Sequence, residues 1–221
     1  MKNLSSKLLS ILVSIITAVF ILSFSIAAPI LVRPFYYIQI DMRGLEEKTG
    51  FTHEQIKNAY DEMLDYCLGI SSEFGTGDLR WSEDGRAHFT DVRSLFILDI
   101  TVLVVSFILL AAYMICSHVH FINCYSFKGR SPYFYGGAGL LSSFIVIAIL
   151  CMIDFNQAFV VFHKIFFPGK DNWLFYPSKD EIIKILPESF FASCAGLILI
   201  VMLVMCGVVI VTGRKDKGAQ S

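Results

Sequence analysis

Four long stretches without a formal charge dominate this sequence: Leu8–Val32, Ile100–Ser117, Tyr133–Ile153 and Ser189–Gly213, of 25, 18, 21 and 25 residues. A helix needs about 20 apolar residues to cross the hydrocarbon core of a bilayer. Only helices and closed barrels satisfy their backbone polar groups there, and these runs lack the period-2 alternation of barrel strands. Twenty phenylalanines and a 55% hydrophobic composition fit the same reading. The expected class is an all-α integral membrane protein with four transmembrane helices. Their expected extents are 8–32, 91–118, 133–154 and 189–213. The first run followed by Ala27-Ala28-Pro29 resembles a signal peptide. It is too long for one, and Pro29 is a poor cleavage context.

Basic residues near helix ends orient such a chain. Lys2, Lys7, Lys128, Arg130, Arg214, Lys215 and Lys217 fall on one side with only Asp216, giving +6. The other side carries the remaining 11 basic and 18 acidic residues, or −7, in accord with the total of −1. The basic side, with its short loop 119–132 and tail 214–221, is expected to be cytoplasmic. Segments 33–90 and 155–188 then form an extracytoplasmic α+β cap, and the protein is expected to sit in a bacterial cell membrane with both termini inside. No nucleic-acid partner is indicated. Cys67 is the only cysteine of six expected outside, which excludes a disulfide framework.

Within the cap, Arg33–Met42 alternates Tyr36, Ile38 and Ile40 with Tyr37, Gln39 and Asp41, a strand pattern. Thr52-His53-Glu54-Gln55 is a capping box that opens an amphipathic helix over 53–68. His53 reads there as a solvated side chain. Thr90 is placed to cap a second membrane helix starting at Asp91, with His88 just before it. Asp99 lies deeper and needs a polar surrounding or a partner, for which Arg93 is a candidate. Phe155, Phe159, Phe162 and Phe166 recur at helical spacing and predict a packed apolar stripe with His163 at its edge. Pro168-Gly169 ends that element, Asn172–Tyr176 reads as a short strand, and Ser178–Glu181 as a second capping box before a short helix.

Histidine titrates near neutral pH, and His88 and His163 both fall beside the outer ends of membrane helices. A neutral imidazole can take a proton from an attacking group, and a protonated one can stabilise an oxyanion or protonate a leaving alkoxide. Such a pair fits acyl transfer; it also fits two structural histidines. Cys116, His120 and Cys124 would share a helix face, but that spacing is no zinc signature, and no metal or cofactor is expected. No serine elbow, HExxH helix or phosphate-binding glycine loop occurs. An enzyme built this way would use a nucleophile supplied by its substrate. A non-enzymatic sensor or assembly subunit, and an acyltransferase or hydrolase acting on free phospholipid, also stand open at this point.

The stretches SEDGRAHFTDVRSLF (82–96) and FHKIFFPGKDNWLFYPSKDEIIKILPESFF (162–191), on four helices, resemble the bacterial lipoprotein intramolecular transacylases. FHxIFF, NW and LP in order carry the likeness. The resemblance implies transfer of the sn-2 acyl chain of a lipoprotein's diacylglyceryl-cysteine to the α-amino group of the same cysteine. It implies a diacylglyceryl-modified lipoprotein as substrate, membrane lipid as surrounding, and His88 and His163 as catalytic residues. Arg80, Arg86, Asp91, Arg93, Asp99 and Trp173 are candidates to orient the substrate.

Overall fold

The computed structural model describes residues 2–119 and 126–214. Its regular elements are helices: α1 (Lys2–Leu31), α2 (Arg33–Met42), α3 (Leu45–Thr49), α4 (His53–Cys67), α5 (Glu83–His118), α6 (Pro132–Ile153), α7 (Phe155–Phe166), α8 (Ile182–Ile185) and α9 (Glu188–Thr212). Among the described residues, β-pairing is limited to three isolated bridges. Four helices among the described residues are long and apolar enough to cross a membrane: Leu4–Leu31, Glu83–His118, Pro132–Ile153 and Glu188–Thr212. The chain divides into two compact units.

The first unit comprises residues 1–26, 100–149 and 198–221. Ile21, Met202 and Cys206 form its buried centre, with Leu141 and Phe144 packed on them. Helices in lipid associate through close packing rather than through water exclusion, so small residues set the approach. A Cβ on Gly136 would meet Ser14 O and Thr17, and one on Gly137 would strike Val209. Hydroxyls on α1 are satisfied within the helix: Ser14 Oγ donates to Ser10 O, Thr17 Oγ1 to Val13 O and Ser25 Oγ to Ile21 O. That back-bonding lets polar residues sit in an apolar helix without an orphan donor.

The second unit comprises residues 27–99 and 150–197. Its cap is helical, not α+β. Arg33–Met42 forms α2 rather than a strand, with Pro34 in its first turn and Tyr36, Gln39 and Ile40 buried. Proline suits that position because its missing N–H has no helical partner there. The period-2 reading failed because Tyr36, Gln39 and Ile40 also follow the i, i+3, i+4 spacing of a helix face. Gln39, polar on that face, is satisfied by donating to Phe35 O and accepting from Arg43. The Thr52 capping box is formed in full, and α4 buries Ile56, Tyr60, Met63, Leu64 and Cys67 as its periodicity predicts. Tyr36 stacks on Tyr60 with ring centroids 3.8 Å apart, and its hydroxyl donates to Ile185 O. Residues 172–176 form no strand, and Ser178 does not cap α8, whose N-cap residue Glu181 makes no side-chain cap.

Candidate active site

Helix α5 begins eight residues before the expected Asp91. Ser82 Oγ accepts from Gly85 N at 3.1 Å, the bond of an N-cap, and Glu83 and Asp84 supply acidic charge in the first turn. His88 is therefore inside the helix. Thr90 caps nothing: its hydroxyl donates to Arg86 O one turn back and meets the Tyr66 hydroxyl at 2.8 Å. A Cβ on Gly85 would fall on Asp180 Oδ1, so this turn tolerates only glycine while Asp180 keeps its place.

Helix α7 starts afresh after a break at Asp154, whose extended backbone and acceptance from Gln157 N make it an N-cap. His163 is the residue α7 buries, at 7% exposure, while Phe162 and Phe166 of the expected packed stripe are 47% and 49% exposed. The stripe was misassigned because the inward line runs through half-buried Phe159 to buried His163 and Phe167. Past Phe167 the chain turns at Gly169, in the left-handed region at φ 72°.

The loop that follows is tied to the start of α5 by charge-assisted bonds. Lys170 Nζ donates to Asp91 Oδ1 at 2.6 Å and Asn172 Nδ2 to Asp91 Oδ2 at 3.2 Å. Asp180 accepts from Ser82 N and Ser82 Oγ, both at 2.8 Å. Glu181 accepts from Arg80 N and the Arg80 guanidinium, while its own N–H donates to Arg80 O. Hydrogen bonds from Arg80, then Lys184, hold the Glu181 carboxyl down at about 2.

These ties bring the two histidines together. Their ring centroids are 5.8 Å apart with planes inclined by 31°. Both are buried, His88 at 5% exposure. His163 stacks on Trp173 at 4.8 Å and against Phe159 at 4.2 Å. His88 meets Phe167 and Phe175 edge-on at 5.0 and 5.4 Å. His163 Nδ1 lies 2.8 Å from Phe159 O. A carbonyl only accepts, so the proton of a neutral ring resides on Nδ1 and Nε2 carries the lone pair. Burial lowers the His163 pKa below its ordinary value, only partly offset by the Phe159 bond. His88 Nδ1 and Asn172 Oδ1 are buried without a hydrogen-bond partner among the described residues.

Of the other residues singled out from the sequence, Trp173 and Asp91 adjoin the pair. Arg80 is engaged by Glu181, and Arg86 reaches Glu83 at 3.3 Å on the surface. Arg93 Nη1 donates to Tyr66 O and Ser71 O, and its guanidinium lies over the Tyr66 ring. Asp99 is eleven residues beyond His88 on the same helix, about 16 Å along its axis. Sequence reasoning missed Lys170, Asn172, Phe159 and Asp180. Among the described residues no cluster of His, Cys, Asp and Glu could hold a metal. His120 and Cys124 lie outside the described residues.

Fold and helix composition define a multi-pass integral membrane protein. The sequence profile of the family "Lipoprotein intramolecular transacylase Lit" matches residues 11–191. The chain therefore belongs to the lipoprotein intramolecular transacylase family and is an acyltransferase. No curated protein sequence matches it. The solved structure of the membrane-integral transacylase Lit from Bacillus cereus is similar at TM-score 0.82 and 26% identity, covering 94% of each chain. Two single-histidine variants of that protein are similar at 25% identity. The histidine-to-arginine variant has TM-score 0.78, covering 94% of this chain and 90% of that one. The histidine-to-alanine variant has TM-score 0.77, covering 95% and 93%.

Proposed function

We propose that this chain moves the sn-2 acyl chain of a diacylglyceryl-modified lipoprotein onto the α-amino group of the same cysteine, with His88 and His163 as its acid–base pair. The observation that carries this reading is the buried pair at 5.8 Å, with the lone pair of His163 assigned to Nε2 by the Phe159 carbonyl. The close approach of the two rings is what supports a shared reacting centre between them.

The substrate supplies its own nucleophile. Attack of the amine on the sn-2 ester carbonyl closes an eight-membered ring through Cα, Cβ, sulfur and two glyceryl carbons. Holding both groups in one aromatic enclosure supplies the orientation that step needs. An N–C bond forms and the ester C–O bond breaks. The proton lost by nitrogen ends on the freed sn-2 oxygen, so no cofactor is required. His163 Nε2 accepts the proton from nitrogen as the tetrahedral intermediate forms. An imidazole made less basic by burial does not keep that proton, which suits delivery to the departing oxygen. A His88 N–H supports the oxyanion. Asp91, through Lys170 and Asn172, holds the loop that carries Trp173 onto His163. The cap and its site lie on the extracytoplasmic side in this reading, where lipoproteins are displayed, and both termini are cytoplasmic.

The test is mass spectrometry of the N-terminal peptide of a diacylglyceryl lipoprotein incubated with the protein in membranes. Unchanged mass, with one acyl chain moved from glycerol to nitrogen in the fragments, is the expected result. A mass gain of one acyl chain identifies an intermolecular N-acyltransferase instead. Release of free fatty acid identifies a lipid hydrolase, and an unaltered peptide beside folded protein overturns the assignment.

A further inference from the structure

Asp91 decides which way round the Asn172 amide stands. Asn172 Nδ2 donates to Asp91 Oδ2 at 3.2 Å. A carboxylate only accepts, so turning the amide over would set two acceptors against each other. The turn that carries Asn172 is closed on itself. Trp173 Nε1 donates to Lys170 O at 2.9 Å, and Leu174 N donates to Asp171 O at 3.0 Å. Lys170 Nζ holds the other oxygen of Asp91 at 2.6 Å. With Nδ2 committed and the turn fixed, Asn172 Oδ1 is left buried without a hydrogen-bond partner among the described residues.

The neighbours of this oxygen belong to the histidine pair. Asp91 stands three residues after His88, on the same face of α5. Trp173, the next residue in the chain, stacks on His163 at 4.8 Å. His88 Nδ1 is likewise buried and unpartnered among the described residues. A buried polar atom left unpaired is costly, so a ligand that brings a donor to Oδ1 completes this corner.

The acyl transfer proposed above supplies such a donor. A neutral α-amine carries two N–H groups. One proton leaves by way of His163 Nε2 and ends on the sn-2 oxygen. The other stays on nitrogen and becomes the N–H of the product amide. A carboxylate beside that nitrogen would favour the ammonium, which has no lone pair for attack. An amide oxygen accepts the N–H and leaves the amine neutral.

We infer that Asn172 Oδ1 binds the N–H that the substrate's α-amine retains through the reaction, a role that rests on the transacylation reading. With one N–H on Asn172 and the other directed at His163 Nε2, the nitrogen lone pair is left for the sn-2 carbonyl. Asp91 acts here as a positioning residue, because it fixes the orientation of the amide.

Binding in nanodiscs on the His163→Ala background, where turnover is stopped, tests this. The probes are a diacylglyceryl-cysteine lipopeptide and its desamino analogue, with hydrogen in place of the α-amino group. The lipopeptide should bind about 10-fold tighter than the analogue. Asn172→Ala on that background should bring the two affinities together, and so should Asn172→Leu, which keeps the volume. Lys170→Met loosens the same turn but keeps the amide, so the preference should survive it. With His163 intact, Asn172→Ala should lower kcat/KM for the lipopeptide about 10-fold. Equal affinity for both probes before Asn172 is changed overturns the role, as does a preference that survives Asn172→Ala. Loss of the preference in Lys170→Met to the same extent overturns it too, leaving Asn172 as a loop anchor. Failure of the parent chain to move the acyl chain of this lipopeptide overturns the transacylation reading itself, and parent activity is measured first to keep the two failures apart.

Discussion

His163 Nδ1 faces the carbonyl oxygen of Phe159 at 2.8 Å, one turn back on the same helix. This bond fixes the tautomer and the ring plane together, leaving Nε2 as the basic nitrogen. In the proposed mechanism, removing the ring removes the acceptor of the proton that leaves the attacking amine. His163→Ala and His88→Ala should each lower transfer by a factor of about 10²–10⁴, read as lyso-form product per unit time. Both variants should elute from size exclusion as the parent does. Full activity in either ends the paired-histidine mechanism.

The pH profile carries a second test. In the proposed mechanism the neutral form of His163 is the active one, and burial pushes its pKa below the ordinary 6.5. Protonation therefore sets in only at more acidic pH than for a free imidazole. Activity should hold as pH falls to 6.5 and decline below it. Trp173→Ala removes the ring stacked on His163 at 4.8 Å and admits water. With less desolvation the pKa returns toward 6.5, so the acid limb should move to higher pH. A limb in the same place in Trp173→Ala would show that Trp173 does not set the solvation of His163.

The spans were legible because length and absence of charge suffice to name a membrane helix. The α4 cap was legible because Thr52 and Gln55 act over three residues. Helix α2 was misread because six residues fit two periods, and α5 because Gly85 in a first turn resembles a loop. What requires a glycine there is the close approach of Asp180, a contact no local pattern encodes. Both histidines were legible as titratable groups beside apolar runs. Asp91 was marked for its place in the chain, but its partners Lys170 and Asn172 stand 79 and 81 residues away, and an ion pair at that distance leaves no periodic signal.

That ion pair predicts a graded series. Asp91 receives both Lys170 and Asn172, so Asp91→Ala frees two loop residues next to Trp173. Lys170→Met frees one and keeps the stem. Because the pair is partly exposed, stability should change by at most about 1 kcal/mol. Activity should fall further in Asp91→Ala than in Lys170→Met, since the loop positions Trp173 over His163. Unfolding temperature and kcat/KM measured on the same preparations separate the two effects. Equal activity in both variants would leave the loop anchor without a role.

Acid stability should report Glu181. Its carboxyl titrates at about 2 in the folded chain, against an ordinary value of 4.5, because Arg80 and Lys184 donate to it. Its folded pKa is depressed, so its contribution is fully present above 4.5 and is lost as pH falls from there through 2. Glu181→Gln should unfold a few degrees lower at pH 7, and the gap to the parent should narrow as the pH is taken toward 3. A gap independent of pH would mean that Glu181 acts through shape alone.

Gly85 gives the sharpest packing test. A methyl group there would fall on Asp180 Oδ1 and come within 3.2 Å of Phe175. Asp180 cannot swing aside without giving up Ser82 N and Ser82 Oγ, the residue that caps α5. Phe175 cannot retreat without uncovering His88, which it meets at 5.4 Å. Gly85→Ala should therefore cost about 1–3 kcal/mol, the usual penalty of overpacking, despite the better helix propensity of alanine. Pairing it with Asp180→Ser, which shortens the obstructing side chain, should recover part of the loss. A single variant as stable as the parent would show that the start of α5 and the loop at Asp180 are not locked together, and the lock is what keeps His88 beside His163.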